Sequence, residues 1–183
     1  MDAARIWFLL FVGLLLVGCG AARTGAGNPA LCVTPLPGQT PLVCLPMAPG
    51  ETFVIHYYHS VENAPIWETH SLGPDGQIYI EEERYEKFGA GMGKMPGVGR
   101  MVRRNGHEVI TDMHYPVGDF ILRVGSARVA HTLIWRGQRR NLSRSHAHRP
   151  LLFSGVPAGE VPSASLRPVA FFSQDPELFR GDR

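Results

Sequence analysis

From Ala30 onward, apolar side chains come in short runs, and Gly, Pro, Asn or Asp interrupts them about every ten residues. Such spacing predicts an all-β fold: a single antiparallel β-sandwich, or a partly open barrel, built from successive hairpins. The strongest alternation lies in Phe53–Glu68, FVIHYYHSVENAPIWE. Read as a strand, it puts Phe53, Ile55, Tyr57, His59 and Val61 on one face and Val54, His56, Tyr58, Ser60 and Glu62 on the other. A tight loop over Glu62–Pro65 would set Val61 opposite Ile66, His59 opposite Glu68, Tyr57 opposite His70 and Ile55 opposite Leu72. Pro74-Asp75-Gly76 then predicts a turn joining Trp67–Leu72 to Gln77–Glu82, with Leu72 meeting Ile78, His70 meeting Ile80 and Glu68 meeting Glu82.

Further hairpins extend the pattern. Leu31-Cys32-Val33 and Leu42–Leu45 flank the proline- and glycine-rich turn Pro35–Pro41, and folding about Gly38 brings Cys32 opposite Cys44. Asn105-Gly106 is a strong two-residue hairpin signal that pairs Arg103 with Glu108, Val102 with Val109 and Met101 with Ile110. More strands are expected at Gly118–Val124, Val129–Trp135 and Leu151–Ser154, with one near Pro168–Phe172. The basic stretch Gln138–Arg149 reads as a loop and residues 173–183 as a frayed tail.

The N-terminus follows a different pattern. Ile6–Val17 is uninterrupted apolar sequence apart from Gly13, behind a short basic start at Arg5. As a helix it reaches about 18 Å, short of the ~30 Å hydrocarbon core, and it fits a signal-peptide apolar region better than a permanent span. It ends in Leu16-Val17-Gly18-Cys19, which resembles the lipobox of bacterial lipoproteins; the alternative is an uncleaved anchor. That resemblance implies a signal peptide over 1–18, lipidation of Cys19, and a palmitate-bearing chain on the periplasm-facing side of a bacterial membrane. Gly20, where an aspartate would signal inner-membrane retention, leans toward the outer membrane. Residues 19–29 then form a flexible tether and 30–172 the all-β domain.

Composition narrows the function classes. The 183 residues suit one domain, and 44% hydrophobic with 19% charged residues describes a globular chain. Eighteen basic against 16 acidic side chains, a formal charge of +2, gives no reason to expect a nucleic-acid partner. With Cys19 lipidated, Cys32 and Cys44 form an even pair in an exported chain and read as a disulfide; the alternative is two reduced buried thiols.

Candidate chemistry centres on His59, Glu68 and Glu82, with Tyr58, Ser60 and Glu62 on the reverse face. A histidine between carboxylates could serve as a general base or half a metal site. Alternation turns Ser60 away from His59, however, which disfavours a Ser–His pair. A buried histidine satisfied by a carboxylate therefore outranks a ligand or partner surface, and catalysis comes last. Phe88–Gly99 lacks the spacing of a phosphate loop or a dinucleotide fingerprint, so its glycines are assigned to positive dihedrals or close chain approach. His146 and His148 would share a side if extended, a weak metal signal without accompanying ligand spacing. Gly-x-Ser-x-Gly and His-Glu-x-x-His are absent. No catalytic residue, metal ligand or cofactor is assigned.

Pro49-Gly50-Glu51-x-Phe53, then Tyr58-His59-Ser60-Val61-Glu62, Pro65 and Glu68, then Phe88-Gly89-Ala90-Gly91-Met92, resemble the domain-of-unknown-function 1850 family over roughly Leu31–Leu142. Gly93-Lys94-Met95 separates the glycine loop from Pro96, where the family commonly has the proline directly. The lipobox and the cysteine pair are not general features of the family. Its genes commonly lie beside tripartite ATP-independent periplasmic transporters of the TAXI type. The resemblance implies an exported accessory protein of solute uptake and supplies no activity; the first reading built on it is a non-enzymatic module that contacts the transporter's substrate-binding protein or membrane subunits through the face near His59 and the glycine loop. Tyr58, His59, Ser60, Glu62, Glu68, Gly89 and Gly91 are its candidate binding residues. A small-ligand or metal-binding lipoprotein using His59, Glu62 and Glu68 is the alternative, with a cell-envelope hydrolase behind it.

Overall fold

The computed structural model describes residues 27–89, 97–161 and 168–172. The expected leader and Cys19, most of the tether, Gly91 with much of the glycine loop, and the tail lie outside them. The chain runs through β1 (Ala30–Pro35), β2 (Val43–Pro46), β3 (Thr52–Tyr58), β4 (Pro65–Leu72), β5 (Ile78–Tyr85), β6 (Arg100–Arg104) and β7 (His107–Thr111). It continues through β8 (Tyr115–Pro116), β9 (Phe120–Arg123), β10 (Thr132–Trp135), β11 (Gln138–Asn141), α1 (Leu142–His146), β12 (Pro150–Val156) and α2 (Pro168–Phe172).

The strands form two antiparallel sheets. The smaller has the order β2-β1-β12-β9, the larger β11-β10-β3-β4-β5-β7-β6, with β8 added on β5. Neither path returns to its start, so the all-β expectation resolves as a sandwich and not a barrel. Alternation explains the packing. Leu31, Val33, Val43, Leu45, Leu151 and Phe153 of the small sheet meet Phe53, Ile55, Leu72, Ile78, Leu133 and Trp135 of the large one in one buried cluster. A second cluster of Ile66, Ile80, Tyr85, Ile110 and Met113 continues that inner face across β4, β5 and β7, with Tyr57 and Val117 touching both.

The first hairpin forms as expected: Cys32 lies opposite Cys44 and the two are disulfide-bonded. Closing a loop of 12-residue separation stabilises the fold by about 3 kcal/mol on a chain-entropy estimate. The Asn105-Gly106 hairpin also has the expected register, and both turn residues take positive φ.

Elsewhere the structure corrects the sequence reading. The β3–β4 loop is longer than a turn at Glu62–Pro65, so Tyr57 faces Ile66, Ile55 faces Glu68 and Phe53 faces His70. His59 N–H donates to Ala64 O, Asn63 N–H to His59 O, and Glu62 N–H to His59 Nδ1, with Asn63 at φ 49°. These bonds end β3 at Tyr58. The shift is even, so the inward-facing set survives while each partner changes. In β4–β5, Leu72↔Ile78 and His70↔Ile80 hold, but a bulge beyond His70 sets Glu68 against Glu83 and Thr69 against Glu82.

Gln138–Arg149 is not a loop. Arg136 and Gly137, at φ 49° and 73°, turn β10 directly into β11. Asn141 then caps α1, its side chain accepting from Arg144 N–H. Pro168–Phe172 is a helix and not a strand; α2 lies against β2 and β11, its Phe172 ring 6.2 Å from Trp135. Pro168 opens it, as proline does at a first helical position.

Strand directions give the molecule two ends. The β3–β4 tip, the β6–β7 turn, the segment after β9, α1 and the start of β12 lie at one end. The chain enters at Ala30 at the other, beside the β4–β5 turn and the end of β12.

Candidate functional site

The constellation expected around His59 is divided by the fold. His59 belongs to the tip loop, where its ring accepts from Glu62 N–H at 3.2 Å. Glu68 is on the inner face and accepts from the Tyr57 hydroxyl at 2.8 Å. Glu82 points to the outer face and pairs with Arg104 at 2.5 Å. Burial pushes the Glu68 carboxyl above the ordinary carboxylate range; the Tyr57 hydrogen bond opposes this and the facing Glu83 adds to it. Burial likewise raises Tyr57 and Tyr85, the latter donating its hydroxyl to Glu83. Glu68 is thus a core carboxylate with a phenol partner.

The remaining residues of the expected set do gather. Tyr58, His59, Ser60 and Glu62 lie at the tip, and Gly89 approaches Glu62 so closely that a β-carbon there would sit 3.3 Å from Oε1. Around them Val61 is 79% exposed, Phe88 40% and Tyr58 38%. The expected role of the glycines also holds at Gly97 and Gly99: both take positive φ, and Gly99 abuts Met113, Ile110 and Thr111. His146 and His148 do not share an extended side. His146 ends α1 with its pKa held down by burial and by Arg140 and Arg149, while His148 has φ 63°. Among the described residues, no group of three or more His, Cys, Asp or Glu side chains could hold a metal ion.

A second arrangement lies near the opposite end, in a cavity of about 310 Å³ lined by Thr52, Ser71, Tyr79, Glu81 and His114 with the chain at Gly50 and Leu72–Pro74. Thr52, Ser71 and Tyr79 are cross-strand neighbours on β3, β4 and β5. The bulge inserts Glu81 beside them. One oxygen of Glu81 accepts from the Ser71 hydroxyl and meets His114 Nδ1 at 2.9 Å. The His114 ring stacks on Tyr79 at 4.4 Å and 6°, which fixes its plane. His114 takes φ 37° and nearby Asp112 φ 59°, positive values that non-glycine residues seldom adopt and that concentrate at functional sites.

Chemically this is an oriented imidazole. When Nδ1–H donates to the carboxylate, Nε2 is the acceptor, suited to a ligand proton or a metal ion. Ser71 is hydrogen-bonded to the carboxylate and not to the imidazole, so Ser71 and His114 do not form a nucleophile pair here. Sequence reasoning missed all five of these polar residues, yet a signal was present. Ile78 and Ile80 require even positions to face inward and Tyr85 an odd one, so the strand must slip one residue across Glu81-Glu82-Glu83.

No curated protein and no solved structure matches the chain. Residues 53–142 match the family described as a domain of unknown function, DUF1850. The match begins at Phe53 and not at Leu31, leaving the disulfide hairpin outside it, and it takes in the tip residues, Glu68, the Glu81–His114 pair and most of the large sheet. On this match, residues 53–142 of the chain belong to the domain-of-unknown-function 1850 family.

Proposed function

We propose that this protein is an exported lipoprotein, acylated at Cys19 and facing the periplasm, that acts as a non-enzymatic accessory module of a TAXI-type tripartite ATP-independent transporter. The observation that carries the export part is the Cys32–Cys44 disulfide, which bridges the first two strands after the tether. Structural disulfides persist in oxidising compartments. The apolar run ending at Cys19 supports the same reading. The docking surface is the tip, where exposed Val61, Phe88 and Tyr58 surround the His59–Glu62 loop. The contacted partner is the transporter's substrate-binding protein or its membrane subunits. Labelled palmitate incorporated by the wild type and lost in Cys19→Ala tests the anchor. Co-purification of transporter subunits, weakened by Val61→Asp at unchanged melting temperature, tests the tip; unlabelled wild-type protein or indifferent co-purification overturns the corresponding part.

A second reading, a lipoprotein that binds a small ligand or metal, is favoured by the Glu81–His114 arrangement in its cavity. This moves the alternative from His59, Glu62 and Glu68 to Ser71, Glu81 and His114. Stoichiometric zinc or copper in the purified protein, lost in His114→Ala, supports it; metal-free protein that calorimetry finds indifferent to added zinc and copper removes its metal form.

A further inference from the structure

Between Asp119 and Glu160 the chain has no acidic residue, and every ionisable side chain there is arginine or histidine. The fold gathers much of this segment at the tip end. Pro150 pairs with Arg123, Val124 N–H donates to Arg149 O, and His148 N–H donates to Val124 O, which brings Arg123 and Arg149 to one corner of the small sheet. Arg128 reaches the β3–β4 loop, its Nε 3.4 Å from Asn63 Oδ1. All three are exposed, and none forms an ion pair with a described carboxylate. The three arginines of β6 behave differently: Arg100, Arg103 and Arg104 pair with Asp112, Glu108 and Glu82. A solvated charged face of mixed sign describes β6 but not this corner. Ile121, two residues before Arg123 and on the same outward side of edge strand β9, is 54% exposed. Guanidinium groups without a described carboxylate partner, beside an exposed aliphatic side chain, suit a surface that offers phosphates above an apolar layer.

We infer that this corner, Ile121 with Arg123, Arg128 and Arg149, docks on the anionic phospholipid headgroups of the membrane to which the chain is tethered. The inference rests on the tethered reading for its choice of a bilayer over an acidic protein. A lipid anchor at Cys19 holds the domain near the headgroups, so weak contacts become effectively intramolecular. Reach is sufficient. The segment from Cys19 to Ala30 spans at most about 40 Å extended, whereas β12, which separates the entry end from the basic corner, is about 23 Å long at ~3.3 Å per residue. Docked this way, the domain turns its tip toward the bilayer, where membrane subunits of a transporter would be met.

The test uses the full chain carrying Cys19→Ala, so that no acyl chain contributes and the result is independent of whether Cys19 is lipidated. Partition is measured onto vesicles of phosphatidylcholine alone and of phosphatidylcholine with phosphatidylglycerol, at low and high salt. The apolar leader contributes similarly to both. The expected result is tighter partition onto the anionic vesicles, by roughly fivefold for each arginine that reaches the headgroups, collapsing in high salt. The preference should fall in Arg123→Gln/Arg149→Gln and in Arg123→Glu/Arg149→Glu, and persist in Arg123→Lys/Arg149→Lys. Equal partition onto the two vesicles, or an anionic preference unchanged in the glutamine and glutamate variants, overturns the inference.

Discussion

His70 and His131 are held neutral by burial, each pushed down to about 4 from an ordinary value of 6.5. His70 lies between the rings of Phe53 and Phe120, at 5.0 and 5.5 Å. His131 accepts Gly125 N–H at Nδ1, a bond that protonation there would break. Between pH 6.5 and 4 the unfolded chain binds protons at these two positions that the native chain refuses. Stability is therefore fully present above about 6.5 and lost as pH falls through that window, by about 1.4 kcal/mol per pH unit for each histidine. In His131→Asn the amide oxygen can stand in for Nδ1, and the dependence should lose about one proton's worth of slope in urea unfolding at pH 7, 5.5 and 4.5. Glu68 has the opposite sign: its raised pKa makes the native state favour the protonated form, so its ionisation costs stability as pH rises through the folded value. Glu68→Gln keeps an acceptor for Tyr57 and removes a buried charge facing Glu83. It should stabilise the protein by about 1 kcal/mol at pH 7, with the gain disappearing near pH 4. Thermal melts at the two pH values decide this. The sequence exposed the chemistry of these residues but not their partners, because a neutral buried histidine and a solvated one are the same letter.

At the scale of elements, short hairpins were legible and longer closures were not. Asn105-Gly106 and the Cys32–Cys44 pair specify register locally, through turn dihedrals and a covalent link. The β3–β4 register depends on His59 bonding back to its own loop, which alternation does not encode, so the predicted His59–Glu68 contact was displaced. β11 was hidden by its polarity, since Arg139 and Arg140 read as loop while Arg136-Gly137 supplies the turn. Close approach between layers was equally invisible. At Gly155 of β12, an added β-carbon would lie 1.7 Å from the carbonyl oxygen of Gly76 in the β4–β5 turn. Gly155→Ala must push the two sheets apart there and should cost about 3 kcal/mol or more, read as a lowered urea midpoint. A near-wild-type midpoint would mean that the turn moves aside freely.

For the whole molecule, the family match and the folding unit do not coincide. Residues 53–142 contain the large sheet and β9, but β1, β2 and β12 lie outside. Without them, Phe53, Ile55, Leu72 and Leu133 lose the side chains of Leu31, Val33, Leu151 and Phe153 that bury them. A chain cut to 53–142 should fail to unfold cooperatively and should bind a hydrophobic dye, whereas the domain retaining residues 30–172 should show a single sharp transition. Composition and periodicity exposed the fold class because most of the strands, though not polar β11, write their own alternation. The gathering of Arg123, Arg128 and Arg149 at one corner emerged only when the register placed distant segments together.

The order of the small sheet bears on how the chain is made. β12 sits between β1 and β9, so the first strands of the domain find their partner in its last. A polypeptide emerging from its N-terminus, whether from a ribosome or through a membrane pore, can close the β1–β2 hairpin early and oxidise it. It cannot seat that hairpin until β12 has appeared. The disulfide then keeps a pre-paired ribbon waiting while the large sheet assembles behind it, and the small sheet closes only once β12, the last strand of the domain, has emerged.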